Sequence, residues 1–160
     1  MKNLIRQERK FKMSLKYALI GCGRISPNHI VAAQQNALDI IAICDIKAEC
    51  MEDKALKFEL SSKTKRYFDY RELLAKEKPE LVAICTESGT HGAIALNCIE
   101  AGCNLIIEKP IALSLTEADK IIEKAKAKKV KVCACHQNRF NKSVQKIREA
   151  IEKHRFGKLL

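Results

Sequence analysis

At 160 residues the chain is long enough for one domain with a packed core, and its 47% hydrophobic and 31% charged content is that of a globular chain rather than a disordered one. No apolar run approaches the ~18 residues that span a bilayer, and the opening Met1-Lys2-Asn3-Leu4-Ile5-Arg6 lacks the apolar stretch of a secretory leader, so a cytoplasmic protein without a membrane partner is expected. The net charge of +11 invites a nucleic-acid reading, but +4 of it sits in residues 1–12 and much of the rest lies among the lysines of 120–131, spaced with Glu117, Asp119 and Glu123 as on a solvated helix face, so no nucleic-acid partner is expected.

Residues 1–14 are polar, basic and aperiodic, and read as an N-terminal extension; Met13-Ser14 stands directly before the first strand as an alternative start. From residue 15 to 156 a regular alternation of strand and helix follows. Lys16 to Ile20 reads as a strand and Pro27 to Gln35 as a helix, with proline in the first turn where a missing N–H costs nothing. Asp39 to Cys44 is a strand too apolar to face water on either side, followed by a helix over Lys47 to Glu59. Lys65 to Phe68 is a short strand, and Asp69 caps a helix reaching about Lys76. Glu80 to Cys85 is a strand; Thr90 to Ala101 is a helix stopped by Gly102. Asn104 to Ile107 is a strand, and Ser114 with Glu117 three residues on forms a capping box for the next helix. Val130 to Cys135 is the sixth strand, Asn141 to His154 the last helix, and residues 157–160 begin a further element. Apolar strands each followed by a helix predict an α/β fold: a doubly wound parallel sheet of Rossmann type, with its ligand site beyond the strands' C-terminal ends.

Two clusters of polar residues fall at those ends. Gly21-Cys22-Gly23-Arg24-Ile25-Ser26 follows the first strand: Gly21 makes the tight turn, Gly23 lets a pyrophosphate approach the backbone, and a small third residue lets the helix pack close. The N–H groups after Arg24 and Ile25 open the helix and favour phosphate. Asp45 ends the second strand, 22 residues after Gly23, where a carboxylate accepts from the adenosine ribose hydroxyls and repels a 2′-phosphate, so NAD is the expected cofactor. An ordinary strand–helix turn, with Asp45 capping the next helix, is the competing reading. The second cluster is Thr86-Glu87-Ser88-Gly89-Thr90-His91, Glu108-Lys109-Pro110 and His136-Gln137-Asn138-Arg139-Phe140-Asn141, which follow consecutive strands and converge on one crevice.

Cysteine stands at 22, 44, 50, 85, 98, 103, 133 and 135, without CxxC and without a histidine pair spaced for zinc. Buried cysteine behaves as a small hydrophobe. Eight reduced thiols are expected, with Cys44, Cys85, Cys133 and Cys135 in strands, and no metal.

The order and spacing of these segments resemble the glucose-fructose oxidoreductase/inositol dehydrogenase family over residues 15 to 160, which correspond to that family's N-terminal half. The resemblance implies a sugar-oxidising dehydrogenase whose C-terminal substrate domain is missing. It implies Lys109 as the catalytic group, meeting the substrate hydroxyl as hydride leaves, with a partner histidine or aspartate in the absent domain. It implies Thr86, His91, Glu108, Lys109 and Gln137 at the cofactor beside Gly21, Gly23, Arg24, Ile25 and Asp45, and Asn138 and Arg139 with Lys109 at the substrate. Thr86 to Gly89 and His136 to Asn141 look like the branch acting on the 3-hydroxyl of UDP-N-acetylglucosamine or its glucuronate, which makes a sugar nucleotide the expected partner. The family often carries proline where this chain has Glu87. The resemblance further implies a homo-oligomer formed through the missing domain. Another sugar or cyclitol dehydrogenase, or an NAD-binding module without chemistry, are the alternatives.

Overall fold

The computed structural model describes residues 14–158; the basic extension up to Lys12, the start at Met13 and the last two residues lie outside them. Strands β1 (Lys16–Ile20), β2 (Asp39–Cys44), β3 (Lys65–Tyr67), β4 (Leu81–Ile84), β5 (Asn104–Glu108) and β6 (Val132–Cys135) alternate with helices α1 (Ser26–Gln35), α2 (Ala48–Lys57), α3 (Tyr70–Glu77), α4 (His91–Glu100), α5 (Leu115–Lys128) and α6 (Lys142–Glu152). All six strands are parallel, in the order β3-β2-β1-β4-β5-β6. This is the doubly wound order, whose switch point lies between β1 and β4.

The period of two along each strand divides the core. On one face Tyr17, Leu19, Ile43 and Ala83 pack with Ile30 of α1 and Met51 of α2. On the other Ala18, Ile20, Leu105 and Ile107 pack with Leu73 of α3, Ile94 of α4 and Ile121 of α5. The expected caps form: Asp69 accepts from Arg71 N–H at 2.8 Å, and Ser114 accepts from Glu117 N–H at 3.2 Å. The Glu117 carboxylate turns to the N–H of Leu113 at 3.3 Å and packs under Gly92, where a Cβ would meet its carboxyl carbon at 2.1 Å.

Two expectations of burial fail. β2 is covered only in its second half, with Asp39 exposed and Ile40 and Ile41 half-buried. β6 is the sheet edge, so Cys133 is exposed and Cys135 half-buried rather than enclosed. Apolar character marks a strand, but its rank in the sheet decides which side is covered. After β6, α6 presents Val144, Ile147 and Ile151 at an exposed face.

Candidate active site beyond the strand ends

The turn after β1 is set by Gly21, whose φ of +93° lies where side-chain-bearing residues are strained. A Cβ there would come within 2.6 Å of the Cys85 carbonyl carbon, so Gly21 also lets β1 and β4 approach. At Gly23 a Cβ would meet nothing within 4 Å, leaving open space against the backbone. Ser26 is fully buried, and its hydroxyl donates to the Gly23 carbonyl at 2.7 Å. A small polar residue thus closes the turn where the pattern usually has glycine or alanine. Arg24 is exposed and Ile25 half-buried at the mouth of α1.

Asp45 is fixed rather than free. One carboxylate oxygen accepts from Cys22 N–H at 2.7 Å and the other from Lys47 N–H at 2.9 Å. The boundary residue of α2 is Lys47, not Asp45, so Asp45 is held across the glycine turn and is not spent on capping a helix. A crevice of about 640 Å³ opens above β1, β2 and β4, lined among others by Gly21, Gly23, Asp45, Ile46, Phe68 and Thr86. Ile46 and Phe68 are exposed apolar walls on its β2–β3 side. This is a donor and wall arrangement that suits a dinucleotide: the backbone of the turn from Gly23 to Ile25, without a Cβ barrier at Gly23, for the pyrophosphate, a fixed carboxylate for the ribose, and apolar surface for the base.

Beyond β5 the Lys109-Pro110 peptide bond is cis and Lys109 is exposed. Lys109 lines a smaller cavity of about 160 Å³ with His136, Gln137, Asn138 and Arg139. The last three belong to a short 3-10 turn, Gln137–Phe140, that precedes α6. Among the described residues, lysine, arginine and histidine line this cavity and no carboxylate does. Thr86 lines the large crevice, with its hydroxyl accepting from Thr90 at 2.8 Å.

Two residues expected at the cofactor face elsewhere. His91 is 1% exposed and turns inward, with Nδ1 2.7 Å from the Pro110 carbonyl oxygen and Nε2 3.0 Å from the Thr86 carbonyl oxygen, so its ring N–H donates between these two loops. It ties the loop after β4 to the loop after β5 from below. Glu108 is also buried, with Oε1 2.7 Å from His29 Nε2. Burial by itself raises the Glu108 carboxyl, but hydrogen bonds from His29, the Lys109 N–H and Cys135, with the charge of His29, outweigh it and leave the group below the usual value. No local sequence pattern marks His29 or Cys135 as partners of Glu108. Their only signal was the chemistry-bearing side chains themselves, at separations that form no local motif.

Known proteins provide an independent comparison. The profile of the Gfo/Idh/MocA oxidoreductase family, described by its NAD-binding Rossmann fold, matches residues 15–136. The chain belongs to this family. A myo-inositol 2-dehydrogenase from Thermotoga maritima is 28% identical over 147 residues, 90% of this chain and 42% of the relative. A D-glucoside 3-dehydrogenase from Escherichia coli is 25% identical over 147 residues, 91% of this chain and 41% of the relative. Among solved structures, the WlbA dehydrogenase from Chromobacterium violaceum in complex with NADH and UDP-GlcNAcA superposes with a TM-score of 0.81 at 28% identity, over 92% of this chain and 42% of that one. The chain therefore spans about two fifths of the length of the relatives it matches. Within the family it is the NAD-binding domain.

Proposed function

We propose that this chain is the cofactor half of an NAD-dependent sugar dehydrogenase acting on the 3-hydroxyl of a UDP-N-acetyl-amino sugar, with the glucuronate form preferred. The observation that carries the reading is the small cavity in which Lys109 stands with His136 and Arg139 and, among the described residues, no carboxylate. Such a lining favours a substrate carrying an anionic group near the hydroxyl that reacts. The similarity to a dehydrogenase solved with UDP-GlcNAcA supports it. The equal identity to an inositol dehydrogenase favours a cyclitol as the second reading.

Bound NAD supplies the hydride acceptor. Lys109 stabilises the alkoxide that develops as the carbinol hydrogen leaves, and a base outside this chain accepts the hydroxyl proton. Asn138 and Arg139 orient the sugar against Lys109, and Gln137 stands beside them on the cofactor side. The test uses the full-length protein with UDP-N-acetylglucosamine, its glucuronate and myo-inositol, following NADH. Turnover on the glucuronate above the others is expected; turnover on myo-inositol alone refutes the sugar-nucleotide reading. Lys109→Met should cut turnover by roughly 10²–10⁴ with NAD affinity nearly unchanged, and near-normal turnover would make Lys109 structural.

A further inference from the structure

His29 lies one turn into α1, the helix whose N-terminus opens the dinucleotide turn, yet it is buried and lines neither cavity. Its Nε2 meets Glu108 Oε1 at 2.7 Å, with both side chains 8% exposed. The other Glu108 oxygen accepts from the Lys109 N–H at 3.3 Å. From β6 the Cys135 thiol reaches the same carboxylate, and the three side-chain donor atoms lie within 4.8 Å of one another. Nitrogen, oxygen and sulfur together are a zinc-like set, but two ligands bound to tetrahedral zinc at ~2.0–2.1 Å stand roughly 3.3 Å apart. At 2.7 Å, His29 and Glu108 are instead joined by a direct hydrogen bond. A carboxylate out of water requires such partners, and here each comes from a different element.

The consequence is mechanical. The helix that receives the pyrophosphate and the strand end that carries Lys109 share one buried contact, bridging residues 79 apart in sequence. Hydride transfer needs reacting atoms held about 3–3.5 Å apart, and small displacements are costly. We infer that His29 is a positioning residue: through Glu108 it fixes the Lys109 backbone relative to the bound dinucleotide. The inference rests on the reading of Lys109 as the group that meets the substrate hydroxyl.

Amide hydrogen exchange of this chain with saturating NAD reads the tie without a substrate. His29→Leu should speed exchange over residues 108–113 by about tenfold or more, while residues 21–25 keep their protection and NAD its affinity. His29→Gln, whose amide N–H can reach Glu108, should stay near wild type. Unchanged exchange over 108–113 in the leucine variant overturns the proposal, as does faster exchange throughout α1 with loss of NAD binding. In the complete enzyme, His29→Leu should lower kcat about ten- to a hundredfold, raise the isotope effect for substrate deuterated at the carbinol carbon, and move the KM for NAD by no more than about threefold. Glutamine should restore most of kcat. A normal kcat in the leucine variant, or a KM for NAD that rises in step with the fall in kcat, overturns it. If His29→Leu does not fold, His29→Asn replaces it, because its donor is too short to reach Glu108; equal behaviour of Asn and Gln then refutes the tie. A fully active Lys109→Met sinks the catalytic reading alone and leaves the exchange experiment to judge the tie.

Discussion

Gly21 and Gly23 stand two residues apart in one turn, and the structure assigns them different physical duties that alanine separates. At Gly21 an alanine must adopt φ near +93°, at a cost of roughly 1–2 kcal/mol. Its Cβ would also lie 2.6 Å from the Cys85 carbonyl carbon, 2.7 Å from its oxygen and 2.7 Å from Thr86 N. These are backbone atoms of the neighbouring strand and its following loop, so relief requires β1 and β4 to part, an overpacking cost of about 1–3 kcal/mol. Together Gly21→Ala should destabilise by about 2–5 kcal/mol, a large share of the ~5–15 kcal/mol that holds a domain. The melting temperature should fall by roughly 4–20 °C. Gly23→Ala meets nothing within 4 Å, so stability should stay within about 1 kcal/mol of wild type or rise slightly. Its methyl enters the space the pyrophosphate needs, so NAD affinity should fall at least about tenfold. Thermal melts and calorimetric NAD titrations of both variants decide the matter. A Gly21→Ala chain that melts with wild type, or a Gly23→Ala chain that binds NAD normally, would refute the division of roles.

Asp45 is held by two backbone N–H groups and faces the crevice, so NAD should bind more tightly than NADP and Asp45→Ser should narrow the gap; equal or tighter NADP binding by the unaltered chain contradicts this. Thiol counting should find eight free cysteines, with Cys133 reacting first, Cys50 and Cys135 more slowly, and the five buried ones only on unfolding. Burial, with Asp45 adding to it, pushes Cys22 and Cys44 up to about 12, which further slows them at neutral pH; a protected pair in denaturant, or stoichiometric zinc on isolation, would be the contrary result. Because the Glu108 carboxyl is lowered in the folded chain, its contribution to stability is present above the unfolded carboxyl value and is lost as pH falls through the folded one. Urea melts between about pH 5 and pH 3 should therefore show a shallower loss of stability in Glu108→Gln than in wild type, and parallel curves would refute the assignment.

A second layer of fixation lies under the crevice. His91 bridges the carbonyls of Thr86 and Pro110, and the His29–Glu108 pair bridges α1 to β5. The loops that line the two cavities are therefore anchored from below by buried histidines, which leaves Thr86 and Lys109 at the open surfaces. Rigid support of this kind is what a site needs if its reacting groups are to be held without rearrangement.

The sequence by itself determined the features that depend on neighbours along the chain. The turn at Gly21 needs a backbone only glycine adopts easily, the caps at Asp69 and Ser114 satisfy N–H groups two or three residues away, and runs such as Leu81 to Ile84 fit only a strand covered on both faces. Alternation of such strands with helices then leaves few topologies, because parallel crossovers are right-handed. Asp45 was legible for the same reason: it stands directly after β2, the next strand along the chain from the glycine turn. The partners of Glu108, the inward turn of His91 and the exposure of Cys133 were decided only by the tertiary structure. Helical and strand periods place a residue on a face, but which face meets which depends on strand order. His29 meets Glu108 because only β4 separates β1 from β5, so the first turn of the helix after β1 lies near the end of β5, and Cys133 meets water because β6 is last in the sheet. Those contacts join residues far apart in sequence, so no local pattern encodes them; they exist once hydrophobic burial has stacked the layers and carried the side chains to one place.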